Sequence, residues 1–350
     1  MIEVRTFDGG PEDAHRLILD VWTAAYGGKL PIQAWSPEYF EWELFSTRLG
    51  GDDYLIGAYD GSRLVGTLFA EEFTFRLNGE EVRGTNASWL SVHRGYPGGI
   101  AKRMYALLQQ RHLERQAPFM TGWFYRSPVG RIGYKFWNAH SKLTDVDEVG
   151  CWVRVIDHHA VARWEPQRGM RWLSRALGCV QGPPANAAAT DGVRPYRRED
   201  LPDCLRIVNG IGADADFSCM WTAERLGHQL LFKDMPRTFA AEIDGQPAGF
   251  INYYPVELLG RGTIRAGMID IAAIHRLPTA MQSRLVALML SEMRDAGLAF
   301  AMTIRHGMIP GRPFLTNGFL PIPSQFSFGI IAVDEEFTIK PVRSFFVRPR

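Results

Sequence analysis

Five side chains in this 350-residue chain stand out, by type and position, as candidates to move protons. Glu71 and Glu72 adjoin within the run Leu64–Phe75, where strand alternation sends one to each face. His93 brings an imidazole, the side-chain type suited to proton transfer near physiological pH. Tyr125 carries a phenolic proton. Asp270 interrupts Met268-Ile269-Asp270-Ile271-Ala272-Ala273, which otherwise reads as a buried strand, and a buried carboxylate is costly unless paired. A carboxylate or imidazole tuned to the working pH serves as a general base, and a tyrosine as an acid. Each has a plainer alternative: a solvated strand edge for the two glutamates, a strand-end histidine, a packed aromatic, and an ion pair of Asp270 with Arg265 or Arg305. Beside them runs the turn Tyr96-Pro97-Gly98-Gly99-Ile100-Ala101-Lys102. Glycines let backbone approach a phosphate closely, and the helix that follows offers free N–H groups and the positive end of its dipole.

The elements that position these residues follow from periodicity. A short strand at Val4–Phe7 leads to a helix opened by Pro11 and stopped at Gly27-Gly28. Ser36-Pro37 starts a second short helix. Strands at Tyr54–Tyr59 and Leu64–Phe75 are joined by Asp60-Gly61, and Leu77-Asn78-Gly79-Glu80 makes another hairpin into the strand Ala87–His93. The glycine turn leads into a helix at Ile100–Glu114 and a strand at Phe119–Arg126; Lys142–Ile156 is expected to hold a closing pair of strands. A bridge over Asp157–Val193, with a helix bearing Trp164 and Trp172, ends in Gly182-Pro183-Pro184. The order then begins again: a helix at Asp200–Val208, strands at Thr238–Ile243, Ala248–Val256 and Thr263–Ile274, a helix at Thr279–Ala296 and a strand at Leu298–Arg305. The tail after Asp334 either packs back as a strand or stays loose.

The second half repeats the first. Tyr59-Asp60-Gly61 is answered by Ile243-Asp244-Gly245, Val92-His93-Arg94 by Ile274-His275-Arg276, and Ile132-Gly133-Tyr134 by Asn317-Gly318-Phe319, at a nearly constant offset. Repeats of this length are duplicated domains rather than solenoid units. The expected division is 1–156, a bridge at 157–192, and 193–350. The fold class is α+β, each copy a mixed, mostly antiparallel sheet flanked by helices.

A net charge of +1 gives no case for nucleic acid, which usually requires a basic face. No stretch approaches the roughly 20 apolar residues that span a bilayer. Met1-Ile2-Glu3-Val4-Arg5 lacks a signal-peptide pattern, so the cytoplasm is the expected compartment. The four cysteines include no Cys-x-x-Cys pair, which argues against zinc and a disulfide framework; no metal site is expected.

The strand Trp89-Leu90-Ser91-Val92-His93, the glycine turn and the closing Arg131-Ile132-Gly133-Tyr134 together resemble the GNAT acyltransferase superfamily, in a bacterial form whose second copy is degenerate. That resemblance implies two tandem GNAT-like domains and transfer of an acyl group, acetyl first among them, from acetyl-CoA or another acyl-CoA to an amine of a small molecule or sugar. It implies a cofactor site at Val92, His93, Tyr96, Gly98, Gly99, Ile100, Ala101 and Lys102, with the backbone N–H of Val92 or His93 polarising the thioester. Glu71, Glu72, His93 or Asp270 would deprotonate the amine, and Tyr125 would act as the acid. The sequence departs from the pattern where Tyr96 replaces the turn's usual Gln or Arg, and where Val129 and Phe314 replace a frequent catalytic tyrosine. The second copy, His275-Arg276-Leu277-Pro278-Thr279-Ala280, has no glycine, so only the first copy is expected to bind donor. A non-catalytic binding protein, or a transferase using a long acyl chain or an acyl carrier protein, are the alternatives.

Overall fold

The structure, a computed structural model, describes residues 1–46, 52–96, 98–126, 131–165, 167–181, 184 and 192–348. The first half comprises β1 (Ile2–Thr6), α1 (Pro11–Tyr26), β2 (Ile32–Ala34), α2 (Pro37–Phe40), β3 (Leu55–Asp60), β4 (Arg63–Leu77), β5 (Glu80–Val92), α3 (Ile100–Glu114), β6 (Phe119–Tyr125), α4 (Arg131–His140) and β7 (Lys142–Val155). A π-helical turn, Glu41–Phe45, extends α2. The bridge holds α5 (His158–Trp164) and α6 (Arg168–Gln181). The second half comprises β8 (Val193–Pro195), α7 (Leu201–Ala213), β9 (Phe217–Cys219), α8 (Ala223–Leu230), β10 (Arg237–Ile243), β11 (Gln246–Leu259), β12 (Thr263–Ala273), α9 (Thr279–Asp295), β13 (Phe300–Arg305), α10 (Gly311–Thr316), β14 (Leu320–Ala332) and β15 (Phe345–Phe346).

These strands form one mixed sheet in the order β1-β3-β4-β5-β6-β14-β7-β13-β12-β11-β10-β8. The order is symmetric about its middle, and there the halves exchange strands. The last strand of the first half, β7, pairs antiparallel with β13, while β14 from the second half pairs antiparallel with β6 and with β7. The region Lys142–Ile156 is therefore not a pair of strands but one long strand, because its partners come from the other half rather than from a local hairpin.

Alternation along the strands places helices on both faces. Leu68 and Ala70 of β4 pack with Met104 and Leu108 of α3, whereas Phe69 between them packs with Ala14 and Ile18 of α1. The second half repeats this: Phe250 of β11 packs with Val208 and Ile211 of α7, and Ile251 with Leu285 and Met289 of α9. α3 carries its buried residues Ile100, Met104, Leu108 and His112 as one stripe at i, i+4 spacing. The core cluster containing Phe69 and Trp89 also contains Tyr254, Met268 and Phe300 of the second half, so apolar packing crosses the midline.

Toward the middle of the sheet, each half has a parallel junction that soon opens. β5 and β6 pair over Gly84–Asn86 and Phe119–Thr121, then separate. β12 and β13 pair over Ala266–Met268 and Phe300–Met302, then separate. Both central strands carry a bulge beyond the junction. In β5 two residues, Trp89 and Leu90, oppose Leu68, and Trp89 has a φ of 54°. In β12 the extra residue is Asp270. Thr67 Oγ1 donates to the Trp89 carbonyl at 3.0 Å, and Asn252 Oδ1 accepts from the Ile271 amide at 2.8 Å. These bonds satisfy backbone groups that the bulges release.

Because the central strands are exchanged, the halves should unfold together: calorimetry is expected to show one transition, and two well-separated ones would contradict the exchange. A Cβ on Gly150 would lie 2.1 Å from the Ile322 carbonyl oxygen, so Gly150→Ala must move the β7–β14 backbone. It is expected to cost about 1–3 kcal/mol, read as a lower denaturant midpoint.

Candidate functional site

The turn after β5 is built to expose backbone. Gly99 is the N-cap of α3 with a φ of 102°, a left-handed conformation that glycine adopts without strain. No side chain caps that helix N-terminus, and its first turn has no acidic residue. A Cβ added to Gly98 or Gly99 would meet nothing within 4 Å. Lys102 is exposed, Ile100 is buried beneath the turn, and Ala101 faces the fork between β5 and β6. Arg103 points elsewhere, donating to the Ile2 carbonyl at 2.9 Å. Tyr96 folds back from the turn, its hydroxyl donating to Asp60 Oδ2 at 3.1 Å. Pro97 and Val129 lie outside the described residues.

The His93 amide donates to the Val65 carbonyl at 2.9 Å, which removes it as a polarising group for a ligand carbonyl. Hydrogen bonding alternates along an antiparallel pair, so the amide of Val92, the register partner of Gly66, points away from β4 and into the fork. The His93 side chain belongs to the turn: Nδ1 accepts from the Gly95 amide at 3.1 Å, and Nε2 lies 3.7 Å from Asp20. The second half has the same pair, His275 Nε2 at 3.7 Å from Asp214, where no glycine turn exists.

The fork opens into a cavity of about 460 Å³, within the range of small-molecule sites. Val92, Trp89 and Ala101 line its upper side, Trp22 and Tyr26 of α1 one wall, and Phe124, Tyr125 and Trp137 another. Tyr254, Met268, Met302 and Ile304 reach it from the second half. The lining is overwhelmingly aromatic and aliphatic. Burial pushes the Tyr125 phenol up to about 12.

The equivalent fork in the second half is filled. Phe346, Val347 and Arg348 of the tail lie against Asp270, Ile271 and Ala272, leaving about 10 Å³, room for roughly one water. The tail thus does pack back, pairing β15 with β9 and ending in a buried arginine. Arg348 donates to Glu71 and to Gln229 Oε1 at 2.9 Å, and lies 3.4 Å from Glu43. Arg225 approaches Glu71 at 3.6 Å and, like Arg348, lies over the Phe73 ring. Burial works against the Arg348 charge, but Glu71 and Asp270 outweigh it and hold its pKa above the ordinary value. Asp270 accepts from Gln229 Nε2 at 2.6 Å; burial pushes its carboxyl up to about 6, with Arg348 and Gln229 opposing.

The structure therefore separates the residues singled out by sequence. Val92, Gly98, Gly99, Ala101 and Tyr125 gather around the fork. Glu71 and Asp270 gather instead around Arg348. Neither glutamate lies on a solvated edge, since β4 runs between β3 and β5. Arg265 and Arg305 are not the partners of Asp270: Arg265 bonds the Ala296 carbonyl, and Arg305 lies over Trp152. Glu72 raises the pKa of Tyr54, after burial itself, on the face opposite Glu71. Sequence reasoning missed Glu43, Arg225, Gln229 and Arg348. The one available signal was charge inside aromatic runs, Trp42-Glu43-Leu44-Phe45 and Phe345-Phe346-Val347-Arg348.

No family model and no curated protein matches this chain. Solved structures do. Saccharomyces cerevisiae N-myristoyltransferase with bound myristoyl-CoA superposes with a TM-score of 0.77 at 14% identity, over 94% of this chain and 82% of that one. GCN5-related N-acetyltransferases from Anabaena variabilis and Kribbella flavida give TM-scores of 0.56 and 0.52 at 10% and 13% identity. They cover 95% and 94% of this chain, and 73% and 71% of their own. The chain shares the fold of these structures, the mixed α+β architecture expected from its sequence.

The Asp270 pKa, raised from about 3.9 in an unfolded chain to about 6, means the folded state binds the extra proton between those values. Its contribution to stability is present at low pH and lost as pH rises through 6. Asp270→Asn should therefore gain on the parent protein as pH rises through 6, seen as a widening gap between denaturant midpoints. A pH-independent gap would contradict the assignment. Arg348→Met strands buried carboxylates and is expected to cost about 3–5 kcal/mol.

Proposed function

We propose that the chain is an acyl-CoA-dependent N-acyltransferase whose donor site is the first fork, and that the donor carries a long acyl chain. The carrying observation is the continuity of three parts: an uncapped glycine turn at Gly98–Gly99, an inward-facing Val92 amide, and an apolar 460 Å³ cavity behind them. The turn suits a pyrophosphate. The cavity is far larger than an acetyl group requires, which favours a long chain over the acetyl donor that the sequence resemblance put first. The myristoyl-CoA bound to the yeast enzyme supports the same choice. Exposed Arg94 and Lys102 beside the turn suit a polyphosphate, and equally an acidic carrier protein as an alternative donor.

In this reading the acceptor is an amine of a small molecule. Its lone pair attacks the thioester carbonyl, the Val92 amide stabilises the oxyanion, and the C–S bond breaks. A phenol at about 12 is a poor acid for a thiolate whose conjugate acid ionises at roughly 8.5. Tyr125 therefore orients the sulfur, and the proton lost by the attacking nitrogen ends on it. Glu71 and Asp270 hold the tail rather than take that proton. The division into a donor-binding copy at 1–156, a bridge at 157–192 and a second copy at 193–350 belongs to the same reading, with the second copy walling the cavity.

Calorimetric titration with CoA, acetyl-CoA, octanoyl-CoA and myristoyl-CoA tests this. Each buried methylene contributes about 0.8 kcal/mol, so affinity should climb steeply with chain length. Gly98→Glu places a carboxylate in open space where the phosphates would lie, and should weaken every donor at least tenfold, by about 1.4 kcal/mol. Equal affinity across the series would remove the long-chain reading, and unchanged binding by Gly98→Glu would remove the turn as the site.

A further inference from the structure

The bridge helix α6 has a face that nothing among the described residues covers. Its inner side is fixed by Ser174 and Gly178: the Ser174 carbonyl bonds His158 Nδ1 at 2.8 Å, and a Cβ on Gly178 would lie 2.8 Å from His158 Cβ. α5 is in turn held to the core, Trp164 Nε1 donating to the Leu258 carbonyl at 3.0 Å. Helical spacing then turns Arg168, Trp172 and Arg175, at i, i+4 and i+7, outward together. Trp172 is 71% exposed and its neighbour Leu173 40% exposed. Residues 168–181 contain three arginines and no acidic residue, in a chain whose net charge is only +1. Arg171 is occupied by the Glu165 carbonyl, whereas Arg168 and Arg175 are exposed.

We infer that α6 is a membrane-surface anchor that lies on an anionic bilayer, with Trp172 and Leu173 at the headgroup boundary and Arg168 and Arg175 against lipid phosphates. An indole between two guanidinium groups suits that boundary, where one part of the side chain is apolar and the other wet. Charge complementarity selects an anionic surface, and the exposed tryptophan and leucine select a bilayer over an acidic protein or nucleic acid, which would need the charge alone. The helix lies on the membrane rather than crossing it: no described helix is long and apolar enough to span one.

Flotation of the full-length protein with vesicles tests the anchor. Binding is expected to vesicles of phosphatidylcholine mixed with phosphatidylglycerol, but not to phosphatidylcholine alone, and to weaken as salt is raised. Trp172→Ala, and separately the pair Arg168→Glu and Arg175→Glu, should each reduce binding roughly tenfold or more. All these side chains are exposed, so circular dichroism and melting should be unchanged. Absence of binding to the anionic vesicles, or binding unaffected by both variants, would overturn the anchor. So would a dimer in sedimentation that Trp172→Ala dissociates, since the face would then be covered by a second copy of the chain.

Discussion

Everything distinctive in this molecule depends on a parallel contact that is allowed to last only three residues. Where β5 meets β6 at Gly84–Asn86, and again where β12 meets β13 at Ala266–Met268, the ladder stops and the strands diverge. A bulge in each central strand sustains the divergence, and buried hydrogen bonds from Thr67 and Asn252 make the bulges tolerable. An opened ladder exposes backbone in the middle of a sheet, which is unfavourable unless something occupies the gap. The two halves differ in this: the second fills the gap with the chain's own tail, while the first leaves an apolar cavity walled by both halves.

Comparing the two halves of the sheet supplies an internal control on the role of each residue. The His–Asp pair that ends the central strand occurs in both halves with the same separation, although only one half has the glycine turn. A feature shared by an open and a filled fork belongs to the scaffold. On the proposed reading, the features that differ mark the donor site: glycine against proline at the helix start, and Trp89 against Asp270 at the bulge. Asp270 is tolerated because Gln229 and Arg348 reach it, so the second fork is held shut by charge and packing together.

Local signals in the sequence were accurate where a few neighbouring residues decide the outcome. The helix Ile100–Glu114 has the limits read from its apolar stripe, and the hairpins at Asp60-Gly61 and Asn78-Gly79 turn where expected. β14 escaped notice because Pro321 and Pro323 interrupt its pattern, and proline normally argues against an internal strand. α8, eight residues behind its Thr222 cap, is too short for periodicity to stand out. The filling of the second fork and the Arg348 cluster could not be read at all. They depend on which strands become neighbours across hundreds of residues, and an arginine two positions before Arg350 looks like a solvated one. The same blindness made Glu71 and Asp270 look catalytic: sequence shows a buried carboxylate, but not the cation that explains it.

The exchange of β7 and β14 also sets a timetable for biosynthesis. β6 leaves the ribosome near the end of the first third of the chain, yet one of its edges is completed only by Leu320–Ala332. Throughout most of translation the nascent first half must therefore carry an open strand edge beside an apolar fork, the kind of surface that recruits stray strands. Selection on this chain acts not only on the finished fold but on how long an incomplete one can remain soluble while its last neighbour is still being made.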